Sequence, residues 1–481
     1  MATAAPTAPA PELRIREVAG IWLRHLTSLY IPGVTLAFLW TGPHPWYVAL
    51  AFMWPLVVAH QVDCSGRHEE RAPHKAIPAW PFDALVYTLA ALQLWIVWET
   101  VQLFSVQSIF SMDMVMVFLL VGGSSGFSII TAHELIHRRG RFDQGLGRLL
   151  LCTVLYEHFY TEHLRGHHVR VGTPEDPATA RFGESYEGFF RRTVPAQWRS
   201  AWRLEKRRLG DADMGLLDPR MLRHRMLHGL ALEWGVAFAV WIAFGTAAFV
   251  AFLAQAFMAV RLLEAVNYFE HWGLVRTSPR VRPVDSWDTH TWFTYYGLVG
   301  LSRHADHHAW PARPYQQLRT WEEAPMLPYG YVGTIDLVMA QNQDFQAHAA
   351  EELAQRRLGP FAADGADAGA EPVSAEAART RLAEAQPTPR SRRLPAAFTR
   401  IAIPALLLLG TALGVEYETG GSLGLGLRLL LHGWVLAALV AFLIVARKLR
   451  DKLDHESLAF AVGFAVLIAL GVAGQSVLAL L

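Results

Sequence analysis

Cysteine, lysine and charge are all scarce in this chain. Its 481 residues include two cysteines, Cys64 and Cys152, far apart in sequence. That excludes a disulfide framework, a zinc ribbon and any all-cysteine iron–sulfur or rubredoxin-type centre built by this chain alone. Charged residues make up 18% of it, against about 25% in ordinary soluble domains. A formal net charge of +1 gives no reason to expect nucleic acid or an acidic polymer as partner. The opening segment, MATAAPTAPAPELRIREVAG, has no basic stretch followed by an apolar run and a small-residue cleavage site, so no signal peptide is expected.

Apolar residues are plentiful, at 52%, and they fall in blocks of about 20, the length of a bilayer span. Spans are expected at 26–41, 44–60, 82–104, 110–131, 229–249 and 250–268, with three more at 398–415, 424–446 and 458–480. Basic residues mark one side: Arg14, Arg16 and Arg24, then Arg67, Arg71 and Lys75, Arg138 and Arg139, the arginine-rich stretch 190–227, and the run Arg447–Lys452. The turns Thr41–Pro45, Gln102–Ser111 and Gly245–Thr246 carry no Lys or Arg and belong on the other side. By the positive-inside rule this gives nine spans, N-terminus in and C-terminus out.

The fold expected is therefore an all-α integral membrane protein. Its parts are an N-terminal tail over 1–25, a body over 26–349, a linker over 350–396 and a three-helix membrane segment over 397–481. The linker's Ala, Glu, Arg, Pro and Gly composition suggests disorder, apart from helix near Ala375–Ala385.

Histidine is the unusual abundance: 21 in all, 13 of them between Ala132 and Ala309. One His-x-x-x-His pair means nothing in such a chain. Here His133-Glu134-Leu135-Ile136-His137 ends the fourth span, His163 precedes His167-His168, and His304 precedes His307-His308. On a helix, positions i, i+3 and i+4 share a face, so each cluster aims two or three imidazoles at one point. The hairpin of the fifth and sixth spans adds Asn267-Tyr268-Phe269-Glu270-His271 at the same end. Imidazole without thiolate suits non-haem iron, and eight or nine ligands exceed what one ion takes, which favours two metals. His158, His224, His228 and His290 lie off these positions and are expected to be surface or supporting residues.

HELIHRR, EHLRGHH, NYFEHWG and SRHADHH resemble the four histidine motifs of the integral-membrane alkane 1-monooxygenases, within the wider superfamily of membrane di-iron hydroxylases and fatty-acid desaturases. The likeness runs over roughly residues 20–345. It extends to GHHVRVGTPEDPATARFGES and HAWPARPYQQLRTWEEAPMLPYGY, which are also similar to relatives that oxidise alkylbenzene methyl groups. It implies a six-helix membrane core under a cytoplasmic, histidine-rich di-iron cap, here followed by three extra C-terminal transmembrane helices.

By that resemblance two iron ions would be held by His133, His137, His163, His167, His168, His271, His304, His307 and His308. Glu134, Glu162, Asp176, Glu270 and Asp306 would accept from the free ring N–H groups. From its own position one turn before His271, Asn267 is read equally as holding a metal-bound water or as making an ordinary helix–helix hydrogen bond. The chain departs from the usual family pattern at Trp272, at Ser302 and Ala305, and over Asp285-Ser286-Trp287-Asp288-Thr289, without losing any of these nine ligands.

The implied activity is O2-dependent hydroxylation of a terminal or benzylic methyl group of a hydrophobic hydrocarbon such as an n-alkane. Electrons would come from a separate rubredoxin or ferredoxin with its NAD(P)H-dependent reductase, and the arginines of 190–225 offer a dock for an acidic carrier. The substrate would enter from lipid between the first four helices, where Trp40, Trp46, Phe52, Met53, Trp54, Trp95, Trp98, Met114 and Met116 would shape a channel. Arginine outnumbers lysine 39 to 4, which hints at a GC-rich bacterial genome and the cytoplasmic (inner) membrane. Two other readings stay open. The same iron site would serve a fatty-acid desaturase or a fatty-acid decarboxylase forming a terminal alkene. HExxH alone is also the signature of a zinc protease.

Overall fold

The computed structural model describes residues 15–73, 77–362 and 374–385. The C-terminal membrane segment expected over 397–481 lies outside the described residues. Within them the chain is helical, with two isolated β-bridges, His68 to Thr291 and Asp288 to Met326, and no strand.

Among the described residues, three helices are long and apolar enough to cross a bilayer: Trp80–Val106, Met112–His137 and Arg225–His271. The last has 47 residues and is two limbs joined at Gly245, whose φ of 86° and ψ of 179° lie where only glycine sits comfortably. Glu233 meets the Glu157 backbone N–H, and Gln255 donates to the Thr153 carbonyl at 2.8 Å. Residues 22 apart on one straight helix would stand about 33 Å from each other, so the limbs run antiparallel. The first limb, 225–244, still rises about 30 Å, enough for a span.

The segments where the two earliest spans are expected arrive in pieces. Helical turns Leu26–Leu29 lead into Tyr30–Thr41, and the second is split into Trp46–Ala51 and Trp54–Asp63. The break at Phe52–Met53 falls just before Pro55, which has no N–H to continue the ladder and disfavours helix before it.

Close approach organises the long helices. A Cβ on Gly122 would stand 2.6 Å from the Met258 Cβ, and one on Gly126 would stand 3.1 Å from Leu262 Cδ1. This Gly-x-x-x-Gly face lets Met112–His137 lie directly against the second limb. Trp98, Trp234, Trp241, Ile242 and Phe257 remain exposed on the outside of these helices, an apolar belt of the kind that meets lipid.

At the histidine end a cap packs over the helices. It contains Arg141–Cys152, a helical run over 159–170, Tyr186–Arg208 and the segments after Trp292. Asp63, buried at the top of the split helix, accepts from Thr291, Thr294 and the Gly333 N–H at 3.1, 2.7 and 3.1 Å, which pins cap to membrane helices. Part of the stretch read as a linker is ordered. The helix Asn342–Arg356 runs past residue 350 because Ala349, Ala350, Leu353 and Ala354 bury an apolar stripe. Ala375–Ala385 also packs, through Ala378 and Leu382.

Candidate metal centre

Each histidine motif is placed by its own local structure. His133 and His137 lie one turn apart at the C-terminal end of Met112–His137, and His271 closes the second limb of the hairpin. His163–His167 form a π-helical turn between Phe159–Glu162 and His168–Arg170. The short helix His304–Ala309 is capped by Asp288, whose Oδ1 accepts from the Ala305 N–H at 2.7 Å.

All nine expected histidines come together, in two groups. Ring nitrogens of His133, His137, His163, His168 and His307 lie within 4.8 Å of one another. Those of His167, His271 and His308 do likewise, and His304 joins through His271 and Glu270. The expectation that each motif aims at a single point is corrected for the second and fourth motifs. The wide π turn sends His163 and His168 to the first group and His167 to the second. The helix His304–Ala309 sends His307 one way and His304 and His308 the other.

The donor set fits metal ions. Nε2 atoms of His163 and His137 are 3.0 Å apart, those of His168 and His163 2.9 Å, and those of His304 and His271 3.3 Å. Nitrogens about 2.1 Å from one ion and at right angles to each other stand about 3.0 Å apart. Buried Nε2 atoms of His133, His167, His307 and His308 have no hydrogen-bond partner. Burial first, and then the neighbouring imidazoles, hold His163, His168, His304 and His308 well below the ordinary histidine range, and His307 at about 3. Their lone pairs are therefore free at neutral pH.

The flanking carboxylates divide. Asp176 Oδ2 lies 2.8 Å from His167 Nδ1, and Glu270 Oε2 lies 3.2 Å from His304 Nε2 while its Oε1 accepts from Tyr331 at 2.6 Å. Glu134, Glu162 and Asp306, expected behind imidazoles, instead accept from Arg138, Arg170 and Arg313. Asn267 donates to Glu264 at 3.2 Å, a buried carboxylate the sequence did not single out, which also takes Tyr156 and Gln197. His158, His224, His228 and His290 stay outside both groups.

A narrow apolar cavity opens beside the histidines. Gly126, Phe127, Ile129, Ile130, Leu262, Leu263, Val266, Leu298, Leu301 and Ile335 line it, with His133, His163, Asn267, Glu270 and His304 at its polar end. None of the nine aromatic and methionine residues expected to shape a channel is among them. Trp40, Trp95 and Trp98 turn outward, and Phe52, Met53 and Met116 fill the packing core at the far end. The wall comes from the second limb and the 298–301 turn, whose proximity only the folded chain shows.

A fatty acid desaturase family model matches residues 111–337. The chain is 32% identical to alkane 1-monooxygenase 1 of Alcanivorax borkumensis over 305 residues, 61% of this chain and 74% of that protein. The chain belongs to the alkane 1-monooxygenase family. Alkane 1-monooxygenase 1 of Pseudomonas aeruginosa is 42% identical over 218 residues, 44% of this chain and 56% of that protein. A xylene/toluene monooxygenase hydroxylase component of Pseudomonas putida is 26% identical over 210 residues, 42% of this chain and 54% of that protein. The chain spans little more than half the length of its Pseudomonas aeruginosa relatives, 56% and 60%.

Proposed function

We propose that this family member is a membrane non-haem di-iron monooxygenase that hydroxylates a terminal or benzylic methyl group of a hydrophobic hydrocarbon such as an n-alkane. The observation that carries the reading is nine converging imidazoles, three of which, His133, His163 and His304, stand with Glu270 at the polar end of an otherwise apolar cavity. One ion would take His133, His137, His163, His168 and His307, and the other His167, His271, His304 and His308 with Glu270 beside them. When bound and reduced by two electrons from the carrier, the iron pair would supply O2 activation, one oxygen atom entering the substrate's C–H bond to give C–OH and the other leaving as water with two protons.

The chain's own residues do the rest. Asp176 holds the His167 ring by its Nδ1 side, so that Nε2 faces its group. Tyr331 fixes Glu270, and Glu264 fixes Asn267, whose side chain borders the cavity. The apolar wall excludes water and receives the alkyl chain. A six-helix core supports the site, with the split helices 30–41 and 46–63 as the first pair. Arginines gathered at the histidine end support a location of that end at the cytoplasmic face of a bacterial inner membrane. The chain has no cysteine set for a redox centre of its own, so a rubredoxin or ferredoxin with its reductase supplies the electrons.

Product analysis tests this. Cells co-expressing the chain with a rubredoxin and its reductase are given n-alkanes, an alkylbenzene and free fatty acids under air. The expected result is a primary or benzylic alcohol that disappears with His307→Ala. A terminal alkene or unsaturated acid in its place would move the enzyme to decarboxylation or desaturation.

A further inference from the structure

A cavity of about 410 Å³ opens under the helix Ile15–His25, and none of the nine histidines lines it. Its size falls within the about 300–1,000 Å³ of small-ligand sites. The helix runs on through Leu26–Leu29 into the first membrane segment, Tyr30–Thr41. Trp22 Nε1 donates to the Pro81 carbonyl at 3.0 Å, which ties the helix to the start of Trp80–Val106. Trp80, exposed at that start, is the kind of side chain that sits at the level of lipid head groups. The cavity therefore lies where the membrane helices begin.

Its charges are unevenly satisfied. Arg71 spends Nε and Nη2 on the Glu69 carboxylate, which also accepts from the Tyr296 hydroxyl at 2.7 Å. The remaining acid of the lining, Glu17, has an interaction of its own. Arg24 donates through Nε to the Tyr296 hydroxyl at 2.9 Å, and its two Nη groups have no acceptor among the described residues. Arg16 has no partner at all among them. Arg16, Gly20 and Arg24 recur every four residues and so share one face of the helix, over about 12 Å of its axis. Gly20 leaves a slot between the two arginines, since a Cβ there would meet only Arg24 Nη1, at 4.0 Å. The opposite wall is fixed in place: Arg303 Nη2 donates to the Glu69 and Arg71 carbonyls at 3.1 and 3.0 Å. Ile21 and Ile77 give the cavity an apolar side.

We propose that this cavity is a binding site for the phosphate head group of an anionic phospholipid, held by Arg16 and Arg24 across Gly20. Guanidinium groups match phosphate oxygens in geometry and charge, and unpaired ones at a membrane boundary attract anionic lipid. The apolar side and the position beside Trp80 favour a lipid over free phosphate as the source. A zwitterionic choline head would bring a second cation against the two guanidiniums, so the site discriminates between lipid classes.

The test uses the full chain, purified in nonionic detergent and phosphate-free buffer and titrated with phosphatidylglycerol, phosphatidylcholine or inorganic phosphate. Native mass spectrometry reads retention and the thermal unfolding midpoint reads stabilisation. The expected result is phosphatidylglycerol retained in preference to phosphatidylcholine, with a higher midpoint. Arg16→Ala and Arg24→Ala each weaken retention about fivefold, and together about thirtyfold. Arg203→Ala with Arg207→Ala removes two exposed charges outside the cavity and leaves retention unchanged. Gly20→Leu keeps both cations and favours helix, but fills the slot and abolishes the lipid's effect. It reads the site if the arginine variants do not fold. Equal stabilisation by the two lipids, an equal loss in the Arg203 and Arg207 double variant, or undiminished retention in Gly20→Leu would overturn the proposal. Inorganic phosphate stabilising as strongly as the lipid at the same concentration would overturn the lipid as its source.

Discussion

Behind His167 the ring is gripped by one carboxylate: Asp176 Oδ2 lies 2.8 Å from Nδ1, and Thr179 Oγ1 donates to the same oxygen at 2.7 Å. That pairing fixes which nitrogen carries the proton and turns a bare Nε2 toward His271 and His308. Asp176→Ala is expected to weaken metal retention by about 10- to 100-fold, read by chelator titration of the purified protein. Glu134→Gln should do far less, since that acid pairs with Arg138 rather than an imidazole. Unchanged retention in Asp176→Ala would remove the positioning role. Another single-residue effect belongs to pH. Burial works against the charge on Glu69, yet the Arg71 guanidinium and the Tyr296 hydroxyl carry it down to about 2. A carboxyl lowered in the folded state contributes stability above its unfolded value, and that stability is lost as pH falls toward the folded value. Wild type should therefore lose thermal stability between about pH 5 and pH 3 faster than Glu69→Gln. Parallel curves would show that this pair is energetically silent.

Single helices and turns carry the next set of causes. At Gly245 the hairpin needs φ 86° and ψ 179°, a conformation that side chains tolerate only at a cost of about 1–3 kcal/mol. Gly245→Ala should lower the unfolding midpoint in detergent, and an unchanged midpoint would contradict the hairpin. Gly122→Val inserts a branched side chain where even a Cβ would stand 2.6 Å from Met258. It should destabilise by about 1–3 kcal/mol and reduce metal content with it, because the same helix carries His133 and His137. Much at this scale was legible in the sequence: the apolar block lengths gave Trp80–Val106 and Met112–His137, and the basic-free turn at Gly245–Thr246 gave the reversal. Two features were not. Helical spacing assumes an α turn, so the π turn at His163–His167 and the splitting of the second and fourth motifs stayed hidden. Alternating apolar pattern also cannot tell a lipid-facing tryptophan from a channel wall, which is why Trp95 and Trp98 misled while Phe127 and Leu262 went unnoticed.

Across the whole molecule, four segments far apart in sequence must meet for the histidines to converge. The C-terminal end of Met112–His137, the 159–170 run, the end of the hairpin and the helix His304–Ala309 each bring part of the set. The motifs announced that these residues belong together. How they divide, five on one side and four with Glu270 on the other, follows from packing of the cap and not from order along the chain. The central claim is that this division makes two metal positions. Iron per folded chain measures it most directly, for wild type and for His137→Ala and His308→Ala, one from each group. The account predicts about two irons in wild type and a lower count in each variant, with the protein still folded. One zinc per chain, or an iron count indifferent to both substitutions, would contradict it.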